Sequence, residues 1–266
     1  MTVRWNRCIF QALLCAGIAF GMLPVFTFAD EPAKEPVPAT EQAVDVKDES
    51  KPVESQTEAK EETKPAQLEK VTIVIEGDAL KQKGIHEWAG KAGQLVVDWY
   101  PKMDKLLKSD GYVPPKELKI IFRKMDGVAY TAGGEINISA DWIRRQPNDF
   151  GMVAHELVHV IQSYPPYPRR VNNGWVTEGI ADYIRHAHFE PEVPLPRINP
   201  DRASYRDAYK TTAGFFIWIE KNYDKEFVKK LNVAMRERTY DDSIFEKLTS
   251  KKLDDLWKEY ADTFRK

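Results

Sequence analysis

The chain has 266 residues, enough for one ordinary domain with appendages. Hydrophobic residues make up 42% of it, sufficient for a core, and the net charge of -2 points to neither a nucleic acid nor a membrane surface as partner. The two cysteines, Cys8 and Cys15, both lie in the N-terminal leader; without the leader the chain has no thiol, which excludes a disulfide framework, a cysteine nucleophile and a cysteine zinc knot.

Residues 1–29 have the pattern of a secretory signal. Arg4 and Arg7 precede an apolar run from Cys8 to Phe28, and Thr27-Phe28-Ala29 places small residues before a cleavage point at Asp30. The expectation is a secreted or periplasmic protein. An uncleaved membrane anchor is the alternative, but Gln11, Gly17, Gly21 and Pro24 interrupt the run. Residues 30–66 are expected to form a disordered spacer. Asp30–Pro65 carries eleven Asp/Glu against five Lys/Arg and no aromatic residue, too little apolar surface to offset ordering entropy. Residues 67–266 are the expected folded domain.

In that domain Val71-Thr72-Ile73-Val74-Ile75 is β-branched and predicts a strand, ended by Gly77-Asp78. Residues 82–108 predict an amphipathic helix with Trp88, Ala92, Leu95, Val96, Trp99, Leu106 and Leu107 toward the core and a kink or join at Pro101. Leu118–Phe122 predicts a second strand. Val128–Thr131 and Glu135–Ser139 predict a hairpin across Gly133-Gly134. Helices follow at Phe150–Ser163, capped by Asn148 or Asp149, at Gly174–His186 and at residues 205–222, then in two or three shorter segments. Strands ahead of helices predict an α+β domain with a small mixed sheet.

The chemistry centres on His155-Glu156-Leu157-Val158-His159. Four residues of helix put both imidazoles on one face, one turn apart, where both can ligate one zinc ion. Glu156 follows the first histidine and points at the attacking water, from which it can take a proton and pass it to the leaving amine. A catalytic zinc needs a third protein ligand, and Glu178 in Gly174-Trp175-Val176-Thr177-Glu178-Gly179-Ile180-Ala181-Asp182-Tyr183 is the candidate. Asp182, one turn on, could accept the free N–H of His155 or His159 and fix its tautomer. Gly179 would let helices approach closely. The bland readings are two satisfied histidines in a buried helix, a surface carboxylate at Glu178 and a helix-face charge at Asp182. Tyr209, with Tyr205 as alternative, is the candidate donor to the developing oxyanion. Tyr183 belongs to the core, His186 and His188 to the surface, and His86 to the structure.

The runs His155–Gln162 and Trp175–Tyr183 together resemble the basic secretory protein family of metallopeptidases. Asp126–Tyr130 and Glu135–Ser139 resemble the strand pair before its zinc helix, and Tyr209 with Thr211–Phe216 its downstream helix. The resemblance spans about residues 70–265. It implies a zincin-like domain with a gluzincin-type site: His155, His159 and Glu178 on zinc, Glu156 as base, and a protein or peptide substrate. The near-neutral charge and acidic spacer depart from a basic protein. In zincins a peptide substrate can pair with a sheet edge, and Gly133–Ser139 is the expected edge here, with Trp142, Trp175 and Tyr164 as pocket candidates or core residues. A peptidoglycan-peptide hydrolase and a non-catalytic zinc-binding protein are the competing readings; an intact Glu156 speaks against the second. Oligomeric state has no signal in the sequence.

Overall fold

The computed structural model describes residues 71–265, so the expected signal and spacer lie outside the described residues. The domain begins with β1 (Thr72–Glu76), a 3₁₀ turn at Asp78–Lys81 and the long helix α1 (Ile85–Leu106). β2 (Glu117–Arg123), β3 (Ala129–Ala132) and β4 (Glu135–Ser139) follow. α2 (Ala140–Arg145), α3 (Gly151–Gln162) and α4 (Gly174–Ile184) come next. α5 (Tyr209–Asn222), α6 (Phe227–Glu237), α7 (Ser243–Thr249) and α8 (Leu253–Asp262) complete it. This is a mixed α+β architecture.

The sheet has the order β1-β2-β4-β3. β1 pairs parallel with β2 and β2 parallel with β4, whereas β3 runs antiparallel to β4. Gly133 and Gly134 close the β3–β4 hairpin with φ of 61° and 81°, the left-handed pair that a tight two-residue turn demands. The expected edge therefore needs correction. Glu135–Ser139 is an inner strand, paired with β2 on one side and β3 on the other and buried at Ile136, Asn137 and Ile138, and β3 is the edge on the hairpin side. The parallel β2–β4 pairing joins the hairpin's second strand to a strand that precedes the hairpin, skipping β3, and no local pattern announces it.

Pro101 lies inside α1, which runs unbroken for 22 residues. The carbonyl deprived of a donor is that of Val97, a residue 46% exposed, where water can serve. The core is continuous from sheet to C-terminus. Trp88 of α1 stacks on Phe150, with ring centroids 4.8 Å apart, and meets Phe122 of β2 edge-on. Trp175 of α4 packs with Phe216 and Phe245 in the C-terminal helices. Gly179 does permit a close approach, though to α5 rather than α3: a β-carbon there would collide with Thr212 and Phe216. The helix expected at residues 205–222 is broken. Tyr205–Asp207 is a 3₁₀ turn with a Ser204/Asp207 capping box, and α5 starts afresh at Tyr209. α4 likewise ends at Ile184 and passes into a π-helical turn, Arg185–Phe189.

Candidate metal centre

α3 is apolar on nearly every side, with Val153, Ala154, Leu157, Val158 and Ile161 fully buried. A helix so enclosed holds its polar side chains in fixed places. Its N-cap position is Phe150, which has no acceptor to offer. The carboxylate of the preceding Asp149 instead accepts from the Met152 amide at 3.2 Å. At the other end the Arg236 guanidinium donates to the carbonyls of Ile161, at 3.0 Å, and Gln162. These are among the last carbonyls of the helix and have no partner within it.

Three donor atoms converge between α3 and α4. His155 Nε2 and His159 Nε2 are 3.0 Å apart, and Glu178 Oε2 lies 3.2 Å from the first and 3.3 Å from the second. Both ring tautomers follow from the neighbours. Asp182 Oδ1 lies 2.7 Å from His155 Nδ1 and, as a carboxylate, accepts its proton. Gln162 Nε2 donates to the Thr177 carbonyl at 3.0 Å, which turns Oε1 toward His159 Nδ1 at 2.8 Å. With both Nδ1 atoms protonated, both Nε2 atoms present lone pairs to the same point, joined there by a carboxylate oxygen. Such a triangle is repulsive unless a cation or proton fills it. Donors about 2.0–2.1 Å from a tetrahedral zinc stand about 3.3 Å from one another, so the set fits that ion. His155, His159 and Glu178 are the group among the described residues that could hold a metal ion.

The electrostatics carry the same mark. Burial disfavours the cation on His155, but the hydrogen bonds to Asp182 and Glu178 outweigh it and hold the imidazole pKa up at about 9. Burial raises Glu178 too, yet its hydrogen bonds to His155 and His159 prevail and bring it down to about 2.

Glu156 is buried beside this cluster. Its Oε2 accepts from the Thr131 hydroxyl at 2.7 Å, and the same hydroxyl lies 3.1 Å from its main-chain carbonyl. Tyr209 is 54% exposed, and its ring stands 6.0 Å from that of His155 at an interplanar angle of 23°. The negative charge of Glu178 foremost, then burial, Asp182 and Glu156, raises the Tyr209 phenol pKa. Tyr205 is elsewhere, donating to Asp254 and packing on Trp175 and Trp257. His186 is buried, not superficial, and neither ring nitrogen has a hydrogen-bond partner among the described residues, while His86 is exposed. Trp175 is core; Trp142 and Tyr164 line the cleft.

Sequence reasoning missed Thr131 and Gln162 as partners in the site. Gln162 had a signal, since it is three residues beyond His159 and so on the same helix face. Thr131 had none, because its contact with Glu156 crosses 25 residues.

The fold and site together define an α+β domain with a histidine–histidine–carboxylate centre beside the edge of a small sheet. The family model of the basic secretory proteins, described as "Peptidase of plants and bacteria", matches residues 94–260. The chain belongs to this peptidase family. No curated protein matches it.

Proposed function

We propose that this chain is an exported zinc-dependent peptidase with a zincin-like domain at residues 67–266, hydrolysing peptide bonds in proteins or peptides. The observation that carries the reading is the triangle of His155 Nε2, His159 Nε2 and Glu178 Oε2, 3.0–3.3 Å on a side, with the Glu156 carboxylate beside it. Export rests on the sequence of residues 1–29 alone, with residues 30–66 as spacer.

In this reading His155, His159 and Glu178 hold the zinc, which when bound polarises the scissile carbonyl and makes the attacking water more acidic. Glu156 takes the proton of that water and delivers it to the leaving nitrogen. Thr131 holds the carboxylate by one oxygen and leaves the other toward the cleft. Asp182 and Gln162 keep both Nδ1 protons in place and so keep both Nε2 lone pairs directed inward. Tyr209, over His155 at the cleft mouth, donates its phenol proton in a hydrogen bond to the carbonyl oxygen as it gains charge.

Elemental analysis and turnover of the chain without residues 1–29 test this. The expected content is about one zinc per chain, sharply reduced in Glu178→Ala. Glu156→Gln should keep the metal and lose about 10²–10⁴-fold in hydrolysis. No zinc after supplementation, or full activity in Glu156→Gln, would remove the reading.

A further inference from the structure

The cleft continues on both sides of the candidate metal centre. His155, Glu156 and Tyr209 line a cavity of about 660 Å³ that extends past Tyr164, Pro165, Pro166 and Tyr167. The same three residues line another of about 540 Å³ that extends past Trp142, Met152 and Lys210. The edge strand β3 links the two: Gly133 and Gly134 beyond its end face the first lobe, and Val128 before its start faces the second.

Charge tells which part of a substrate each lobe can take. An aminopeptidase needs a carboxylate for the terminal ammonium. In the Tyr164 lobe the carboxylates are Glu156 and Glu178, the first held by Thr131 and the second by the two histidines. A carboxypeptidase needs a cation for the terminal carboxylate. In the Trp142 lobe Arg185 is bound to Asp149, at 3.0 Å, and to Glu190. Asp149 and Asp207 are also engaged, the first with Trp142 Nε1 and the second with the Ser204 amide. Lys210 is exposed and makes no ion pair among the described residues. Among the described residues the one charge left unpaired in either lobe is therefore Lys210, an exposed side chain on a cavity open to solvent, which leaves room for the substrate to run on past it.

We propose, on the basis of the peptidase reading above, that this site cleaves the interior of an extended polypeptide, with acidic residues favoured on the C-terminal side of the cut by Lys210. The direction comes from pairing. An added strand is more often antiparallel, and it then runs from the Gly133 end of β3 to its Val128 end. That places the N-terminal half of the substrate in the Tyr164 lobe and the C-terminal half along Lys210.

The experiment uses the zinc-supplemented chain on a peptide library acetylated at the N-terminus and amidated at the C-terminus, with the products mapped by mass spectrometry. Internal cuts are expected. Lys210→Glu, a change at an exposed side chain, should shift the preference after the cut from acidic toward basic by about 3- to 10-fold, with no change before it. Blocked peptides left intact while unblocked ones lose terminal residues would overturn the interior-cleavage proposal and leave the peptidase reading standing. A shift before the cut would reverse the direction, and no shift would remove Lys210 from specificity. If neither blocked nor unblocked peptides are cut by the zinc-loaded chain, it is the peptidase reading that fails.

Discussion

The Thr131 hydroxyl stands 2.7 Å from Glu156 Oε2, so the sheet's edge strand holds the side chain that the proposed mechanism uses as its base. A hydrogen bond to a charged group is worth about 1.5–3 kcal/mol, or roughly 10- to 100-fold in rate if it is needed in the transition state. Thr131→Val should lower kcat by about that factor with zinc content unchanged, and Thr131→Ser should restore it. A Val variant as active as the parent would mean that packing alone orients Glu156.

Gln162 fixes the His159 tautomer because its amide nitrogen is already committed to Thr177. Gln162→Leu should weaken metal affinity by about 10- to 100-fold, as should Asp182→Ala through His155. Competition with a chelator measures this directly. Unchanged affinity in both variants would separate these neighbours from the centre.

The bond between Ala208 and Tyr209 joins two residues of positive φ. Ala208 has φ 62° and ψ -167°, a region that essentially glycine alone occupies, and Tyr209 has φ 47°. Such a conformation costs about 1–3 kcal/mol, against about 0.5–1 kcal/mol for the greater freedom glycine loses on folding. Ala208→Gly should therefore raise Tm by a few degrees. If the strain serves to hold Tyr209 over His155, kcat should fall in the same variant. A lower Tm would show that the joint is not strained.

Arg236 ties the C-terminal end of α3 to that of α1. It donates to Leu107 O at 2.9 Å and to Ile161 O at 3.0 Å, with its guanidinium 3.7 Å from the centre of the Tyr112 ring. Leu107 O also accepts from Asn232 Nδ2 and Ile161 O from the Tyr112 hydroxyl, each at 2.9 Å, so Arg236→Met keeps most of the volume and removes bonds without stranding either carbonyl. At about 0.5–1.5 kcal/mol net for each bond lost, unfolding in urea should show a loss of about 2 kcal/mol. A change below 1 kcal/mol, the order of an exposed ion pair, would show that water replaces the guanidinium.

Metal-free chain should lose stability toward alkaline pH. A His155 pKa raised from 6.5 to about 9 contributes stability that is complete below pH 6.5 and lost as pH rises through 9. A Glu178 pKa lowered from 4.5 to about 2 contributes stability that is complete above pH 4.5 and lost as pH falls through 2. This pair therefore contributes most between pH 4.5 and 6.5. In chelated protein Tm should decline from pH 6.5 to 9, and zinc should abolish that decline by standing where the proton stood. A flat profile in chelated protein would contradict the coupling of His155 to Asp182 and Glu178.

Local pattern was enough for most of the elements. The β-branched runs became β1 and β2, Gly133-Gly134 became the hairpin turn, and the three short C-terminal helices are α6, α7 and α8. The spacing of His155, Glu156 and His159 already put them on one helix, because side-chain direction in a helix is set by residue count. The glycine pair likewise dictated its own turn, since φ above zero is cheap for that residue alone.

What depended on distance in the chain was not legible. Which hairpin strand became the edge was decided by β4 pairing with β2, and Pro101 was absorbed into α1 because it met solvent where its missing bond would have been. The joining of Thr131 to Glu156 and of Gln162 to Thr177, and the choice of His155 rather than His159 as the partner of Asp182, came from packing α3 between the sheet edge and α4. The sequence by itself determined which groups could do chemistry and which of them share a helix. Only the tertiary structure decided which neighbours hold them, because a hydrogen bond is made by position, and positions far apart in sequence are fixed by the packing of the whole core.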